Sequence, residues 1–269
     1  MRALLVDIGN SRIKWAWLED GRLGKAKAAE YSGWRARDFA RHVIGFASKE
    51  HRPQRSRQEI ERILVASVVD EASDALAAGA RLVGTPEPEV VTTRRSACGV
   101  TIGYIDPWRL GVDRLLAMIA AHRRFARRPV CTVAIGTAMT LDLVGADGRH
   151  WGGAIIPAPP LMVASLLDGT SGIRRRAQGG ASGRGPALFG RSTRAAVEQG
   201  ARFAAAAAVD RAVSEARDLV GGTPKLVLTG GGASDLRPLI RSANLLVPDL
   251  VLEGLATWVS VFRDGTGLQ

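Results

Sequence analysis

Apolar and β-branched residues fall into two similar blocks along this chain, one at its start and one near its middle. In each block, an apolar run leads to a glycine and two small or polar residues, and a second apolar run follows. This pattern is typical of a tight hairpin whose tip leaves backbone N–H groups to bind an anion. We therefore predict a hairpin at Gly9 and a degenerate copy of it at Gly136. The predicted strands are 3–7, 12–18 and 22–29 in the first block, and 130–135, 139–144 and 150–156 in the second.

Helical periodicity fills the intervals between these strands. The clearest helix opens at Gly111, carries apolar residues at helical spacing and stops before Pro129. The segment 169–190 has no apolar periodicity, and we predict a loop there that becomes ordered over the substrate. The other predicted helices are 33–48, 71–78, 161–167, 193–219, 235–242 and 249–262, with an exposed charged segment at 49–58 and further strands at 62–68, 89–93 and 225–229.

Three strands, a helix, a strand and a helix occur in that order twice, which makes the chain an α/β protein. This order is the plan of the actin-like, sugar kinase and Hsp70 ATPase superfold, in which two ribonuclease-H-like lobes lie around a nucleotide cleft. We place the N-terminal lobe at residues 1–110 and the C-terminal lobe at residues 111–269. Because fold analogy alone assigns no function, individual residues have to carry that argument.

Composition narrows the classes of function. The net charge of +11 favours an anionic ligand, but aromatic residues make up only 5% of the chain. Binding of single-stranded nucleic acid uses basic residues interleaved with aromatic platforms, so nucleic acid is a disfavoured partner. Two cysteines and four histidines show no metal-ligand spacing, and Walker and Rossmann glycine motifs are missing. Since no segment has the pattern of a signal peptide or a membrane span, we expect a cytoplasmic protein.

The first hairpin carries the strongest candidate chemistry. Asp7 stands at the end of the first strand, where a carboxylate suits Mg²⁺, and the backbone around Asn10 and Ser11 suits a phosphate. Lys14 adds a positive charge on the second strand. The alternative is a simple turn, since Asp and Asn are common turn residues.

The second hairpin offers Gly136, Thr137 and Thr140. Thr140 and Asp142 fall on one face of a strand, because strand side chains alternate. Asp142 either is buried with a partner, which a buried acid requires, or faces solvent at an edge. The glycines at 230–232 follow a strand and either let a flat group pack on the backbone or form an ordinary strand-to-helix turn.

Asp113 is the candidate general base. It lies in the first turn of the predicted helix, and Gly111 before it permits close approach of a ligand. Phosphoryl transfer to an alcohol uses one carboxylate to accept the hydroxyl proton, while the rest of the site positions the reactants. The alternative is an acid that only complements the helix dipole, worth about 0.3–1 kcal/mol.

Several motifs, in matching order along nearly the whole chain, resemble those of the type III pantothenate kinase family, which includes proteins named Bvg accessory factor. The resemblance implies ATP-dependent phosphorylation of pantothenate to 4′-phosphopantothenate, the first step of coenzyme A biosynthesis, by a homodimer. The matching motifs are residues 7–14, 103–114, 136–142, 152–157, 229–231 and 248–255.

The resemblance also implies residue roles. Asp113 would be the general base and Asp7 the Mg²⁺ ligand, and a monovalent cation such as K⁺ or NH₄⁺ would bind as well. The implied pantothenate pocket comprises Tyr104, Gly111, Val112, Arg114 and Thr170. The implied ATP site comprises Asp7, Ile8, Gly9, Asn10, Ser11, Arg12, Lys14, Gly136, Thr137, Thr140, Gly230 and Gly231.

One departure from the family pattern bears on the cation. Many members carry Asp where this chain has Ala134, and that acid helps to bind the monovalent cation, so the resemblance leaves this site in question.

Ala134 and the basic charge also motivate a rival hypothesis, a regulatory accessory factor on a kinase fold with weak or lost kinase activity. A third hypothesis is a kinase of the same fold that acts on another small hydroxy acid.

Overall fold

The computed structural model describes residues 1–45, 60–179, 182 and 187–262. The predicted charged segment 49–58 and the end of the helix predicted for 33–48 lie outside these residues. The strands are β1 (Arg2–Ile8), β2 (Arg12–Glu19), β3 (Arg22–Leu23), β4 (Lys27–Glu30), β5 (Arg62–Ser67), β6 (Glu89–Val90), β7 (Ser96–Ala97), β8 (Val100–Thr101), β9 (Val130–Ile135), β10 (Ala138–Val144), β11 (His150–Pro157), β12 (Lys225–Thr229) and β13 (Asn244–Leu246).

Eight α-helices are described along with the strands. They are α1 (Ala36–Phe39), α2 (Asp70–Val83), α3 (Val112–Arg124), α4 (Pro159–Gly169), α5 (Ser171–Ala177), α6 (Thr193–Val220), α7 (Ala233–Leu236) and α8 (Leu250–Val261). Helix α1 continues into a π-helical turn at Ala40–Ile44, and 3₁₀ turns occur at Pro107–Arg109 and Arg237–Leu239. Among the described helices, none combines the length and apolar character needed to cross a bilayer.

The chain divides into two compact units, Met1–Ala120 together with the residues from Asp249 onward, and Ala121–Pro248. This division differs from the single boundary predicted between residues 110 and 111. The physical reason is helix α8, which packs against β1, β2 and β5 of the first sheet and therefore joins the first unit.

The first unit is built on a mixed sheet with the order β3-β2-β1-β5-β6, in which β4 also pairs with β2. Strand β1 runs antiparallel to β2 and parallel to β5. Alternate residues of β1 point to opposite faces. Leu4, Val6 and Ile8 pack with Phe39 and Leu76 in a buried cluster. Asp7 consequently points to the other face.

The second unit repeats this topology, as the sequence predicts. Its sheet has the order β11-β10-β9-β12-β13, with β9 antiparallel to β10 and parallel to β12. Val133 and Ile135 pack with Val209 of α6 and Leu228 of β12 in its core. The two hairpins β1–β2 and β9–β10 therefore occupy equivalent places in two sheets of one design.

The structure corrects several predicted elements. The strand predicted for 22–29 is split into β3 and β4, because the Gly24 N–H leaves the ladder and donates to Trp17 O at 2.7 Å. The loop predicted for 169–190 contains the helix α5, while residues 180, 181 and 183–186 of it lie outside the described chain. The strand predicted for 89–93 shortens to β6, and β13 was not predicted.

Candidate active site

The first hairpin joins β1 to β2 through an exposed turn at Asn10, Ser11 and Arg12. The Gly9 N–H donates to Arg12 O at 3.0 Å, and the strand register places Asp7 directly opposite Lys14. Gly9 does not adopt a positive φ, and a Cβ there would meet Arg12 O at 3.4 Å, so glycine supplies small size rather than a left-handed backbone. The hairpin thus presents a carboxylate and an ammonium side by side behind an open turn.

Tyr31 holds this turn from the core side. Its hydroxyl donates to Gly9 O at 2.6 Å and lies 3.5 Å from Asn10 O. The side chain is buried, and its ring packs against Phe39 with centroids 6.1 Å apart. Sequence reasoning missed Tyr31, because nothing in the pattern around a residue after β4 shows that it reaches the β1–β2 turn.

Lys14 also meets the start of the C-terminal helix. Its Nζ lies 3.4 Å from Oδ1 of Asp249, the residue that precedes α8. Asp249 belongs to a motif that supports the family resemblance, but no role was predicted for it. Since α8 packs on the first sheet, this ion pair brings a third carboxylate to the edge where Asp7 lies.

The electrostatics of Asp7 follow from this crowding. The pKa of Asp7 is raised to about 7, chiefly by burial and further by the nearby carboxylates of Asp113 and Asp249, while the Lys14 ammonium opposes them. The pKa therefore shows that Asp7 and Asp113, from motifs far apart in sequence, act on each other in one unit. A bound cation would relieve this excess of negative charge.

Asp113 is placed by the N-terminus of α3 and by the glycine before it. A Cβ on Gly111 would lie 2.5 Å from Asp113 Oδ1, so only glycine leaves this carboxylate its position. Helix α8 supports α3 one turn further on, where Gly254 packs so closely on Leu116 that a Cβ would overlap the Leu116 carbonyl. The Asp113 carboxylate therefore uses the space at Gly111, and the close approach of a ligand there stays a prediction.

Arg114, the residue after Asp113, pairs with Tyr104. Arg114 is buried, its Nη2 donates to the Tyr104 hydroxyl at 3.0 Å, and its guanidinium lies 5.6 Å from the centre of the Tyr104 ring. Arg95 fixes the same loop by donating to the carbonyl oxygens of Tyr104 and Ile105, both at 3.1 Å. The structure thus brings together the predicted residues Tyr104, Gly111 and Arg114, with Val112 buried at the helix start.

In the second unit, the hairpin at Gly136 also closes through the N–H of its glycine, but its turn is one residue shorter than the first. The Gly136 N–H donates to Ala138 O at 2.9 Å, while the Thr137 carbonyl accepts from Ala158 N at 3.2 Å. Gly136 and Thr137 are exposed, and Thr140 is half-buried. The predicted residues of this hairpin are therefore accessible to a ligand.

The glycines after β12 pack against the end of β9. Gly230 has φ of +90°, and a Cβ there would overlap the backbone of Ile135. Gly232 donates to Ile135 O at 3.0 Å. Close packing of two strand ends thus explains why residues 230 and 232 are glycines, whereas Gly231 is exposed.

Asp142 is buried with a partner, so the solvent-facing alternative is wrong. Its side chain is 2% exposed, and its Oδ1 lies 3.1 Å from Nε2 of the fully buried His150 on β11. Sequence reasoning considered His150 only as a metal ligand. Pairing across β10 and β11 could have been inferred only from the register of the two strands.

Thr170 and Ala134 stand apart from these groups. The Thr170 hydroxyl donates to Leu166 O at 2.7 Å at the end of α4, and Thr170 is the N-cap residue of α5. Ala134 pairs in register with Thr140 on one side and Thr229 on the other, and brings only a methyl group. Position 134 therefore supplies no side-chain oxygen.

The donor set at Asp7 fits a magnesium ion that is held mainly by its substrate. Among the described residues, no group of three or more His, Cys, Asp or Glu is arranged to hold a metal. Mg²⁺ in phosphoryl-transfer sites needs only one or two carboxylates, since phosphates and water complete its shell. Burial and the neighbouring carboxylates raise the pKa of Asp7, and a bound cation would favour its ionised form.

Comparisons with known proteins point to one family for this chain. A family model described as type III pantothenate kinase matches residues 3–215. The chain is 35% identical to the type III pantothenate kinase of Nitrosococcus oceani over 258 residues, which cover 94% of this chain and 92% of that protein. It is 36% identical to the one of Stenotrophomonas maltophilia over 254 residues, covering 94% and 96%.

A solved structure shows the fold class. A ROK family glucokinase from Streptomyces griseus superposes with a TM-score of 0.52 at 12% identity, covering 98% of this chain and all of the other. The predicted α/β fold of the actin-like and sugar kinase class is therefore confirmed. With the family model and both relatives in agreement over most of its length, the chain belongs to the type III pantothenate kinase family.

Proposed function

We propose that this protein transfers the γ-phosphoryl group of ATP to the hydroxyl of pantothenate and so forms 4′-phosphopantothenate. The observation that carries the proposal is the meeting of Asp7 and Asp113 in one unit, where each carboxylate acts on the other. Phosphoryl transfer needs one acid to organise a cation and another to accept a proton, and we assign these two roles to Asp7 and Asp113. The names of the relatives favour the kinase over the regulatory accessory factor.

Asp113 is the proposed general base. Its carboxylate sits over Gly111 in the first turn of α3, half-buried and open to a ligand. There it accepts the hydroxyl proton as the oxygen attacks phosphorus. General-base catalysis of this kind contributes about 10²–10⁴-fold to a rate.

Asp7 is the proposed ligand for Mg²⁺, with Lys14 beside it for phosphate. Bound Mg²⁺ would neutralise phosphate charge that develops during transfer. The exposed turn from Asn10 to Arg12 offers backbone N–H groups to the same phosphates. We assign Gly136, Thr137 and Thr140 to the nucleotide as well, on the strength of the equivalent hairpin in the second unit. The assignment of Gly230 and Gly231, which follow β12, rests on the family resemblance.

Arg114 and Tyr104 are the proposed pantothenate contacts. Pantothenate carries a carboxylate, and a buried arginine that already bonds a tyrosine hydroxyl is a rigid site for an anion. Thr170 is the N-cap residue of α5, and its assignment to this pocket rests on the family resemblance alone.

The test is formation of phosphopantothenate by the purified protein with Mg²⁺ and ATP. We expect Asp113→Asn to lower kcat at least about 100-fold while ATP still binds, because only proton acceptance is lost. Asp70→Asn is a matched control, since Asp70 also lies in the first turn of a helix and is exposed. Phosphorylation of another hydroxy acid but not pantothenate would support the third hypothesis instead.

We propose that Ala134 weakens the response to monovalent cations. Ala134 lacks the carboxylate that the family pattern supplies, and the residues paired with it on the flanking strands, Thr140 and Thr229, bring hydroxyls. Turnover should change less than about threefold when K⁺ replaces a bulky organic cation, since hydroxyls bind K⁺ weakly without a carboxylate. Ala134→Asp should restore a larger response, and a strong K⁺ requirement in the natural protein would contradict the proposal.

We also propose a homodimer, since the second unit exposes apolar residues on neighbouring elements. Trp151 and Ile155 lie on the edge strand β11, where Ile155 is 62% exposed, and Leu161 and Leu166 lie on α4, which packs beside β11. Exposed apolar patches of this kind mark protein contacts. Ile155→Asp should lower the mass measured by light scattering, and an unchanged mass would count against this surface.

Because ATP is a cytoplasmic substrate, the proposed reaction places the enzyme in the cytoplasm.

A further inference from the structure

The Tyr31–Gly9 hydrogen bond fixes the orientation of one peptide group. The Gly9 carbonyl points to the Tyr31 hydroxyl, which is 2.6 Å away on the buried side of the turn. The described chain contains no cis peptide, so the Gly9–Asn10 bond is trans. In a trans peptide the C=O and the following N–H point in opposite directions. The Asn10 N–H is consequently turned away from the core.

The remaining polar groups of the turn agree with this orientation. The Gly9 N–H is already used on Arg12 O at 3.0 Å. Asn10 is exposed, and no residue in the described part of the chain accepts a hydrogen bond from its N–H. Tyr31 therefore orients the Asn10 N–H, which is the first N–H of the turn after that of Gly9.

We propose that Tyr31 is a positioning residue that holds the Gly9–Asn10 peptide with the Asn10 N–H directed at a phosphate of the nucleotide. The inference rests on the proposed function, because it takes ATP as the ligand of this turn. Without the hydroxyl, the peptide is free to rotate about the flanking single bonds, and the N–H is no longer preoriented.

Tyr31 suits this role because its hydroxyl stays protonated. Burial raises the pKa of Tyr31 above its ordinary value of 10.0, so the hydroxyl donates throughout the physiological range. Its ring is held by Phe39 at 6.1 Å, and Phe39 in turn by Trp34 with ring centres 5.5 Å apart. The donor therefore stands on a packed aromatic base rather than on a mobile loop.

The experiment compares Tyr31→Phe with the natural protein by calorimetric titration with Mg²⁺-ATP. Loss of one hydrogen bond is expected to raise the Kd about five- to tenfold. In turnover assays the KM for ATP should rise by a similar factor, while the KM for pantothenate stays within about twofold. Phe39→Leu is the matched control, since it weakens the same aromatic packing and keeps the hydroxyl. It should lower the melting temperature with little change in the Kd for ATP.

An unchanged Kd in Tyr31→Phe, or an equal rise in Phe39→Leu, would overturn the inference, because either would reduce Tyr31 to a packing residue. If Tyr31→Phe does not fold, ¹⁵N NMR of the natural protein decides. The Asn10 amide should shift strongly when ATP is added, and a static Asn10 amide beside shifting neighbours would overturn the inference. A protein that binds ATP but leaves pantothenate unphosphorylated would refute the proposed function and still permit this test.

Discussion

The Lys14 ammonium lies 3.4 Å from the Asp249 carboxylate, across 235 residues of sequence. This contact ties the beginning of α8 to the second strand of the first hairpin. It accompanies the packing of α8 on the first sheet, and it brings the Asp249 carboxylate to the edge where Asp7 and Lys14 lie.

The energy of this ion pair should be small. Both side chains are partly exposed, 24% for Lys14 and 37% for Asp249, so solvent screens their attraction. A double-mutant cycle with Lys14→Met and Asp249→Asn, measured by urea unfolding, should give a coupling of about 0.3–1 kcal/mol that decreases with salt. A coupling that persists in concentrated salt would mean that the pair is more deeply buried than the structure shows.

Asp7 should make the ligand-free protein less stable as the pH rises. Its pKa is raised from 3.8 to about 7, so the folded state holds a proton that the unfolded state has lost between these values. The free energy of unfolding therefore falls as the pH rises through this window and levels off above it. Asp7→Asn should stabilise the apoprotein by at least about 1 kcal/mol at neutral pH and above, with no gain below about pH 4.

Thermal melts at a series of pH values test this expectation. Asp70→Asn serves as the control, because it removes an exposed carboxylate. A gain from Asp7→Asn that is the same at every pH would show that the substitution acts through packing rather than through the proton.

Gly254 should tolerate no side chain. A Cβ there would overlap the Leu116 carbonyl, which belongs to the helix that carries Asp113. Gly254→Ala should cost about 1–3 kcal/mol of stability, as overpacked cores do. It should also lower turnover, because the strain displaces α3 and with it Asp113.

Gly200 provides the control for this substitution. It lies inside α6, and a Cβ there would meet nothing within 4 Å. Gly200→Ala should therefore stabilise the protein by up to about 1 kcal/mol through helix propensity. Equal effects of the two substitutions in chemical denaturation would show that α8 and α3 are not in close contact.

The two cysteines should differ in reactivity. Burial raises the pKa of the Cys131 thiol to about 12, and its side chain is almost fully enclosed, whereas Cys98 is partly exposed. At mildly alkaline pH a thiol reagent should label Cys98 alone in the native protein and both thiols after denaturation. Cys98→Ser isolates Cys131, and fast labelling of this variant in its native state would contradict the burial.

Local pattern determined much of this protein. Apolar alternation predicted β1, β2, β9 and β10 within one or two residues, because a strand that is buried on one or both faces must repeat its apolar positions. The predicted repeat appears as two sheets of one topology. The motifs also named Asp7, Gly111 and Asp113, since a turn or a helix start imposes its residue types locally.

Tertiary structure alone decided which distant residues meet. Tyr31 reaches Gly9, Asp249 reaches Lys14, His150 reaches Asp142, and Gly230 packs on Ile135. None of these pairs has a sequence spacing from which it could be inferred, because strand register and helix packing bring them together only when the whole unit folds. The pKa of Asp7 depends on the same contacts, so the residue types were evident from the sequence and their chemistry was set by the fold.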